Sequence, residues 1–346
     1  MKAIIFGGAG FIGSNLADKI LRDGGEVIIA DDLSRKGSRI NLKWLRDRGN
    51  MRFIHTDISH YPEVKELISL HKDTEAIFHF AGQVAVTLSI KNPRQDFEIN
   101  ALGTFNILEA IRETGINPPF IYSSTNKVYG GMEGVRVEEK ETRYVLPDYP
   151  EGIGEDFPLD FHSPYGCSKG CADQYVRDYA RIFGLKTVVL RQSCIYGPRQ
   201  FGIEDQGWVA HFLISGLLKA PLTIYGNGKQ VRDLLYIDDL VDLCLRCVEN
   251  MEKVQGEVFN VGGGKDNTLS LLELLDIMDR KGIKPRVNFT SPRPGDQKVF
   301  IANIQKAKEE LSWEPRVNVE EGLERILSWL KENLPSVQVV REGGEI

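Results

Sequence analysis

Tyr165-Gly-Cys-Ser-Lys169 sets a phenol and an ammonium four residues apart. On a helix that spacing puts both on one face. A lysine ammonium beside a phenol favours the phenolate, lowers the tyrosine pKa toward neutrality and makes it a usable general base. A second stretch, SSTNKVYG at 123–130, runs out of the apolar, β-prone FIYSS into hydroxyls. The hydroxyl of Thr125 could hydrogen-bond the substrate oxygen that Tyr165 deprotonates. The next two residues, Asn126 and Lys127, stand where a carboxylate pair could do acid–base chemistry. An amide cannot titrate, and a lysine is normally protonated at neutral pH.

A third stretch opens the chain. Gly7, Gly10 and Gly13 in GGAGFIG follow the apolar run KAIIF and precede an amphipathic segment. Glycine lets the backbone turn tightly and approach a pyrophosphate, and a helix beginning at Phe11 meets the negative charge with free N–H groups and its dipole. Asp31 ends the next apolar run, where an acid would hydrogen-bond the adenosine ribose of NAD and repel the 2′-phosphate of NADP. Arg35 argues mildly for NADP, but Asp31 is placed to win. NAD is the expected cofactor. Asp57, with Ile58, could face the adenine or simply cap a loop. HFAGQ at 79–83 ends a strand in small residues, as a cofactor crossing the strand ends requires. The expected cofactor contacts are Gly7, Gly10, Phe11, Ile12, Gly13, Asp31, Asp32, Ser34, Arg35, Asp57 and Ile58. They continue with Ala81, Gln83, Asn100, Ser123, Tyr165, Lys169 and Cys194.

Strand and helix signals must alternate to position these groups, and they do. Apolar β-rich runs fall at 2–6, 26–30, 51–55, 76–80, 119–123 and 186–190, with helix-like segments at 11–23, 61–70, 96–114 and 168–183. Such alternation predicts βαβ units, a mostly parallel doubly wound sheet of Rossmann type, and helices on both faces. Residues 131–161, rich in Gly, Pro and acids, read as a long active-site loop with a short hairpin. After about 192 the elements shorten. Strands are expected at 222–225 and 257–261, and helices at 206–219, 238–250, 269–279 and 318–332. The expected division is a cofactor domain over 1–191 and a smaller α/β substrate-binding region over 192–335 that partly crosses back to the sheet. A tail over 336–346 is expected to fray.

The chain has 346 residues and a net charge of −6, with acids and bases mixed. No basic stripe argues for nucleic acid or an anionic membrane. No leader pattern precedes the first strand and no apolar run approaches the ~20 residues of a membrane span. A cytoplasmic enzyme is expected, with no metal. Cys244 and Cys247 have CxxC spacing inside an apolar helix-like run and read as buried structural thiols, as do Cys167 and Cys171.

GGAGFIG, Asp31, SSTNKVYG and YGCSK, in this order, resemble the extended short-chain dehydrogenases/reductases that act on nucleotide sugars. The resemblance covers nearly the whole chain. It implies a Thr125–Tyr165–Lys169 triad, with Lys169 also holding the nicotinamide ribose. It also implies that Arg232 of VRDLLYIDD and Arg293 of RPGDQ grip a substrate diphosphate, for which paired guanidiniums are well suited. In the 4,6-dehydratase branch the segment matching 125–127 reads Thr-Asp-Glu, and its acids carry the protons of an elimination. Asn126 and Lys127 remove that machinery. An enzyme that takes a hydride and cannot eliminate should return it, and return to the other face is epimerisation. Many 4-epimerases carry Asn at the position of Cys194, which is a poor donor. SSTNKVYG, SPYGCSKG, RQSCIYGPRQFG and EDQGWVAHF point instead to a 2-epimerase.

The expected substrate contacts are Gln83, Asn126, Lys127, Cys194, Arg199, Gln206, His211, Arg232 and Arg293, with Trp208 a further candidate. The alternatives are a 4-epimerase, a net oxidoreductase and a non-catalytic dinucleotide sensor. The apolar faces of 96–114 and 168–183 suggest a homodimer or homotetramer.

Overall fold

The computed structural model describes residues 1–293 and 296–343. Pro294 and Gly295 of the RPGDQ motif, and residues 344–346 of the expected tail, lie outside the described residues.

Seven strands form one parallel sheet in the order Val258–Val261, Thr187–Gln192, Phe120–Thr125, Ala76–His79, Lys2–Phe6, Glu26–Asp31, Asn50–His55. The inner strands are apolar on both faces and buried beyond the charged residues Lys2 and Glu26 that open two of them, as a parallel sheet covered on both sides requires. One layer packs Leu16, Ala17 and Ile20 of the helix Phe11–Arg22 against Ile5 and Ile29. The opposite layer packs Ile107, Leu108 and Ile111 against Ile4, Ile28 and Ile77. The strand order reverses between Lys2–Phe6 and Ala76–His79, and a crevice at the carboxyl ends of the strands opens there.

The expected single helix over 96–114 is broken into pieces. Helices Val86–Lys91 and Pro93–Phe97 are separated by Asn92, whose side chain caps the second by accepting from the Gln95 N–H. A wide π turn over Glu98–Leu102 then leads into the helix Gly103–Thr114. The helix expected at 168 begins at Ser163, so Tyr165 and Lys169 share it. The strand Val258–Val261 comes from late in the chain and pairs with Thr187–Gln192 at the sheet edge.

Residues 131–161 contain the short hairpin, with Glu138–Glu139 paired to Tyr144–Val145. The segment is also docked: Met132, Leu146 and Ile153 pack with Val231, Val299 and Phe300. The tail forms a helix, Leu334–Glu342, with Val337 and Val340 buried, instead of fraying from 336. Cys244 and Cys247 are buried, as read. Cys167 is exposed and Cys171 half-buried, because their helix turns that flank away from the sheet. No described helix is long and apolar enough to cross a membrane.

Candidate active site

The glycine turn is built for close approach. Gly7 has φ +76°, and a Cβ there would stand 2.4 Å from the Ala81 nitrogen. A Cβ on Gly13 would stand 2.3 Å from the Gly7 carbonyl oxygen, so the third glycine lets the helix start sit on the strand end. Gly10 is the N-cap and supplies no side chain, leaving the first turn, Phe11, Ile12 and Gly13, to present its N–H groups. Asp31 is buried at the end of its strand. Its two oxygens accept the N–H of Ala9 at 3.0 Å and of Leu33 at 2.8 Å, while burial raises its pKa. The carboxylate is thereby fixed against the glycine turn with lone pairs to spare for ribose hydroxyls. Asp32 accepts from the Ser34 amide and hydroxyl. Arg35 folds into the crevice: burial lowers its pKa, and Tyr165 acts against that. Asp57 accepts from the amide and hydroxyl of Ser59, which is the loop-cap arrangement. Ile58 is buried, with its side chain under Gly103.

Thr125, Tyr165 and Lys169 converge at the end of the strand Phe120–Thr125. The Thr125 hydroxyl interacts with the Tyr165 phenol and lowers its pKa, but burial dominates and the phenol is pushed up to about 12. The Lys169 ammonium donates to the Ser123 carbonyl at 2.5 Å and lies 4.4 Å from the centre of the Tyr122 ring. Burial brings it down to about 7, against the pull of Asp173 and Asp96. The expected acidification of Tyr165 by Lys169 is therefore absent. Both groups are buried, charging either costs solvation, and the ammonium faces a carbonyl and a ring.

A buried polar cluster holds the neighbouring cofactor-side residues, and sequence reasoning missed most of it. Asn100 sits in the π turn. Its amide donates to the Gln83 carbonyl, to Asp96 and to the Ser168 hydroxyl, and its oxygen accepts the Gln83 N–H at 2.9 Å. Asp96 also accepts from Ser168 at 2.5 Å and from the Gln83 side chain at 2.7 Å. The Ser89 hydroxyl accepts the Tyr165 N–H at 3.2 Å. Asp96 and Asn100, four apart on one helical face, were the available sequence signal.

On the substrate side two groups form. Arg232 pairs with Asp296 at 2.9 Å and lies near both Lys127 and Cys194. The Cys194 thiol is pushed up to about 12 by burial and meets the Trp208 indole. Asn126 donates to the Gln297 side-chain oxygen at 3.0 Å, and Gln297 donates to the Gly130 carbonyl at 2.6 Å. In the other group Arg293 lies 3.9 Å from the centre of the Tyr225 ring and 3.6 Å from Glu204 and from Asp205. His211 belongs here, buried and lowered to about 4 by loss of solvation, with Gln206 in the turn Ile203–Gln206 beside it. Arg199 departs from its expected role. Its guanidinium lies 3.8 Å from the Trp44 ring and 5.6 Å from that of Trp329, so it joins two helices by cation–π contact.

Residues 4–326 match the family model of GDP-mannose 4,6 dehydratase. The chain belongs to this family, within the extended short-chain dehydrogenases/reductases. It is 49% identical to a CDP-paratose 2-epimerase of Salmonella typhi, over 95% of this chain and 99% of that one. The UDP-glucose 4-epimerase of Thermotoga maritima, solved with UDP-glucose, matches with a TM-score of 0.82 and 34% identity. That match covers 96% of this chain and 100% of the other. The UDP-glucuronic acid 4-epimerase of Bacillus cereus, solved with UDP-glucuronic acid and NAD, matches with a TM-score of 0.81 and 30% identity. It covers 96% of this chain and 99% of that one.

Proposed function

We propose that this protein is an NAD-dependent nucleotide-sugar epimerase that inverts C2 of the sugar of a CDP-linked 3,6-dideoxyhexose or of a related CDP- or GDP-hexose. The observation that carries the reading is at 126–127. Asn126 is tied to Gln297 and cannot titrate, and Lys127 replaces the second acid of an eliminating enzyme, while Thr125, Tyr165 and Lys169 stay together. The 49% identity to a CDP-paratose 2-epimerase supports it.

The crevice fits NAD. The Gly7 cradle would be closed by any Cβ, the first helical turn offers its amides to a pyrophosphate, and Asp31 offers its carboxylate to ribose hydroxyls and repels a 2′-phosphate. When bound, NAD supplies the acceptor for the carbinol hydride and its source for the return to the opposite face. Tyr165 takes the hydroxyl proton during oxidation and gives it back during reduction, so the proton count closes over a cycle. Thr125 holds the same substrate oxygen. Lys169, fixed by the Ser123 carbonyl, would hold the nicotinamide ribose. Arg232 and Arg293 receive the diphosphate once their carboxylate partners are exchanged for it. Leu88, Ile90, Phe97 and Leu102, with Tyr175, Ile182 and Phe183, leave apolar surface on neighbouring helices, which supports a homo-oligomer.

A 4-epimerase is the second reading, favoured by the Thermotoga likeness and opposed by Cys194, a weak donor. Incubation with CDP-, GDP- and UDP-hexoses, read by proton NMR, tests the choice. Inversion at C2 is expected, and inversion at C4 would overturn the reading.

A further inference from the structure

Lys127 has no task in the proton and hydride chemistry above. Lys127 lines a small pocket with Val86, Gly130, His162 and Ser163. Its backbone is pinned: the N–H donates to the Thr125 hydroxyl at 3.2 Å and the carbonyl accepts the Gly130 N–H at 3.1 Å. Among the described residues its ammonium makes no hydrogen bond and no ion pair. The charged and titratable groups around it are Arg232 and Asp296, which pair with each other, His162 in the pocket wall, and Asp160 packed on Gly130. Burial and the Arg232 charge bring its pKa down to about 8. An unmatched cation held partly out of water costs stability, and an arriving anion would remove that cost.

The functional reading supplies the anion, and this inference rests on it. In a nucleotide-diphosphate sugar, C2 is bonded to the anomeric carbon that carries the phosphate ester, whereas C4 lies across the ring. Presenting C2 to Tyr165 and Thr125 therefore brings the sugar-proximal phosphate beside them. Presenting C4 leaves it a ring's width away. A free cation two residues after Thr125 matches the first placement.

We propose that Lys127 binds the sugar-proximal phosphate, and that this contact turns C2 rather than C4 toward Tyr165. The contact also gives the keto sugar a pivot while it turns between oxidation and reduction. Arg232 and Arg293 then grip the rest of the diphosphate, and Lys127 acts as a specificity-determining residue.

The test is calorimetric titration of the protein as purified with a nucleoside diphosphate and its monophosphate, using whichever of cytidine, uridine or guanosine binds most tightly. It is run at about pH 9, above the Lys127 pKa of about 8, in two buffers of different ionisation heat. Wild type should take up a proton on binding the diphosphate. Lys127→Met should bind it about 10–100-fold more weakly without proton uptake, as expected for losing one charge-assisted contact, and bind the monophosphate within about twofold of wild type. Lys127→Arg should keep most of the diphosphate affinity. The Lys127→Met melting temperature should equal or exceed that of wild type, because a partly desolvated unmatched charge is gone, which separates lost contact from lost fold. Equal losses for both nucleotides, no loss for either, or proton uptake surviving in Lys127→Met would overturn the phosphate contact. No turnover is needed, so this result stands apart from the functional reading. C2 inversion without the diphosphate effect sinks Lys127 alone. C4 inversion sinks the functional reading and with it the steering role.

Discussion

Burial acts in opposite directions on the two members of the Y-x-x-x-K pair. Tyr165 is 8% exposed and pushed up to about 12, and Lys169 is 5% exposed and brought down to about 7. Phenolate with ammonium carries the same number of protons as phenol with amine, so the small fraction in the productive state rises until the pair has lost its first proton and is level after that. kcat/KM is therefore expected to rise through about pH 7 and stay level well into the alkaline range, checked by a pH–rate profile on the free enzyme. Lys169→Met removes that proton, so the rise should move toward the phenol's range. Tyr165→Phe should lower turnover by about 10²–10⁴-fold while leaving cofactor binding in place. That Thr125, Tyr165 and Lys169 lie near one another was legible from the i, i+4 spacing of the last two and from the family resemblance that joins Thr125 to them. The direction of the tyrosine shift was not, because it depends on burial and on where the ammonium points. Asp96, Ser168 and Gln297 were also illegible. Asn126 meets Gln297 only across 171 positions of chain, and Ser168 meets Asp96 across 72.

At the scale of elements, the helix Ser163–Phe183 is fastened to the strand Thr187–Gln192 by a buried ion pair and to the strand Phe120–Thr125 by a hydrogen bond from Ser124. Asp173 accepts from the Arg191 guanidinium at 2.9 and 3.0 Å and from the Ser124 hydroxyl at 2.8 Å, and Arg191 also donates to the Tyr129 phenol. Asp173 and Arg191 are almost wholly buried. Removing one partner strands the other charge, so Asp173→Ala should cost about 3–5 kcal/mol of stability, read by denaturant unfolding. Retained stability would show that the pair does not fasten the helix. The seven strands of the main sheet were readable to within a few residues because inner parallel strands are continuous apolar runs between turn signals, whereas the short strands Cys194–Tyr196, Val231–Tyr236, Thr268–Ser270, Arg286–Thr290 and Val299–Phe300 were not read. The stretch 86–114 was misread as one later helix. Asn92-Pro93 is a helix-start signal, and the π turn at 98–102, which contains Asn100, is announced by no local pattern. Arg199 was misplaced for the same kind of reason, since its partners Trp44 and Trp329 come from distant helices.

For the whole molecule, the exposed side chains Phe97 and Ile182 lie at the end of the helix Pro93–Phe97 and near the end of Ser163–Phe183, the helix that carries Tyr165 and Lys169. Sedimentation velocity should show a dimer or larger species, and Phe97→Glu with Ile182→Glu should shift it toward monomer. A monomeric wild type would contradict that assignment. The central claim is that one carbon is oxidised and reduced again on the same protein with its own hydride. The most direct measurement uses a CDP-hexose deuterated at C2, incubated with the protein in ordinary water and read by NMR. The account predicts a product inverted at C2 that keeps the deuterium at C2. Inversion with the deuterium replaced by a solvent proton would mean deprotonation at carbon, and would remove Tyr165 and the cofactor crevice from the role given to them.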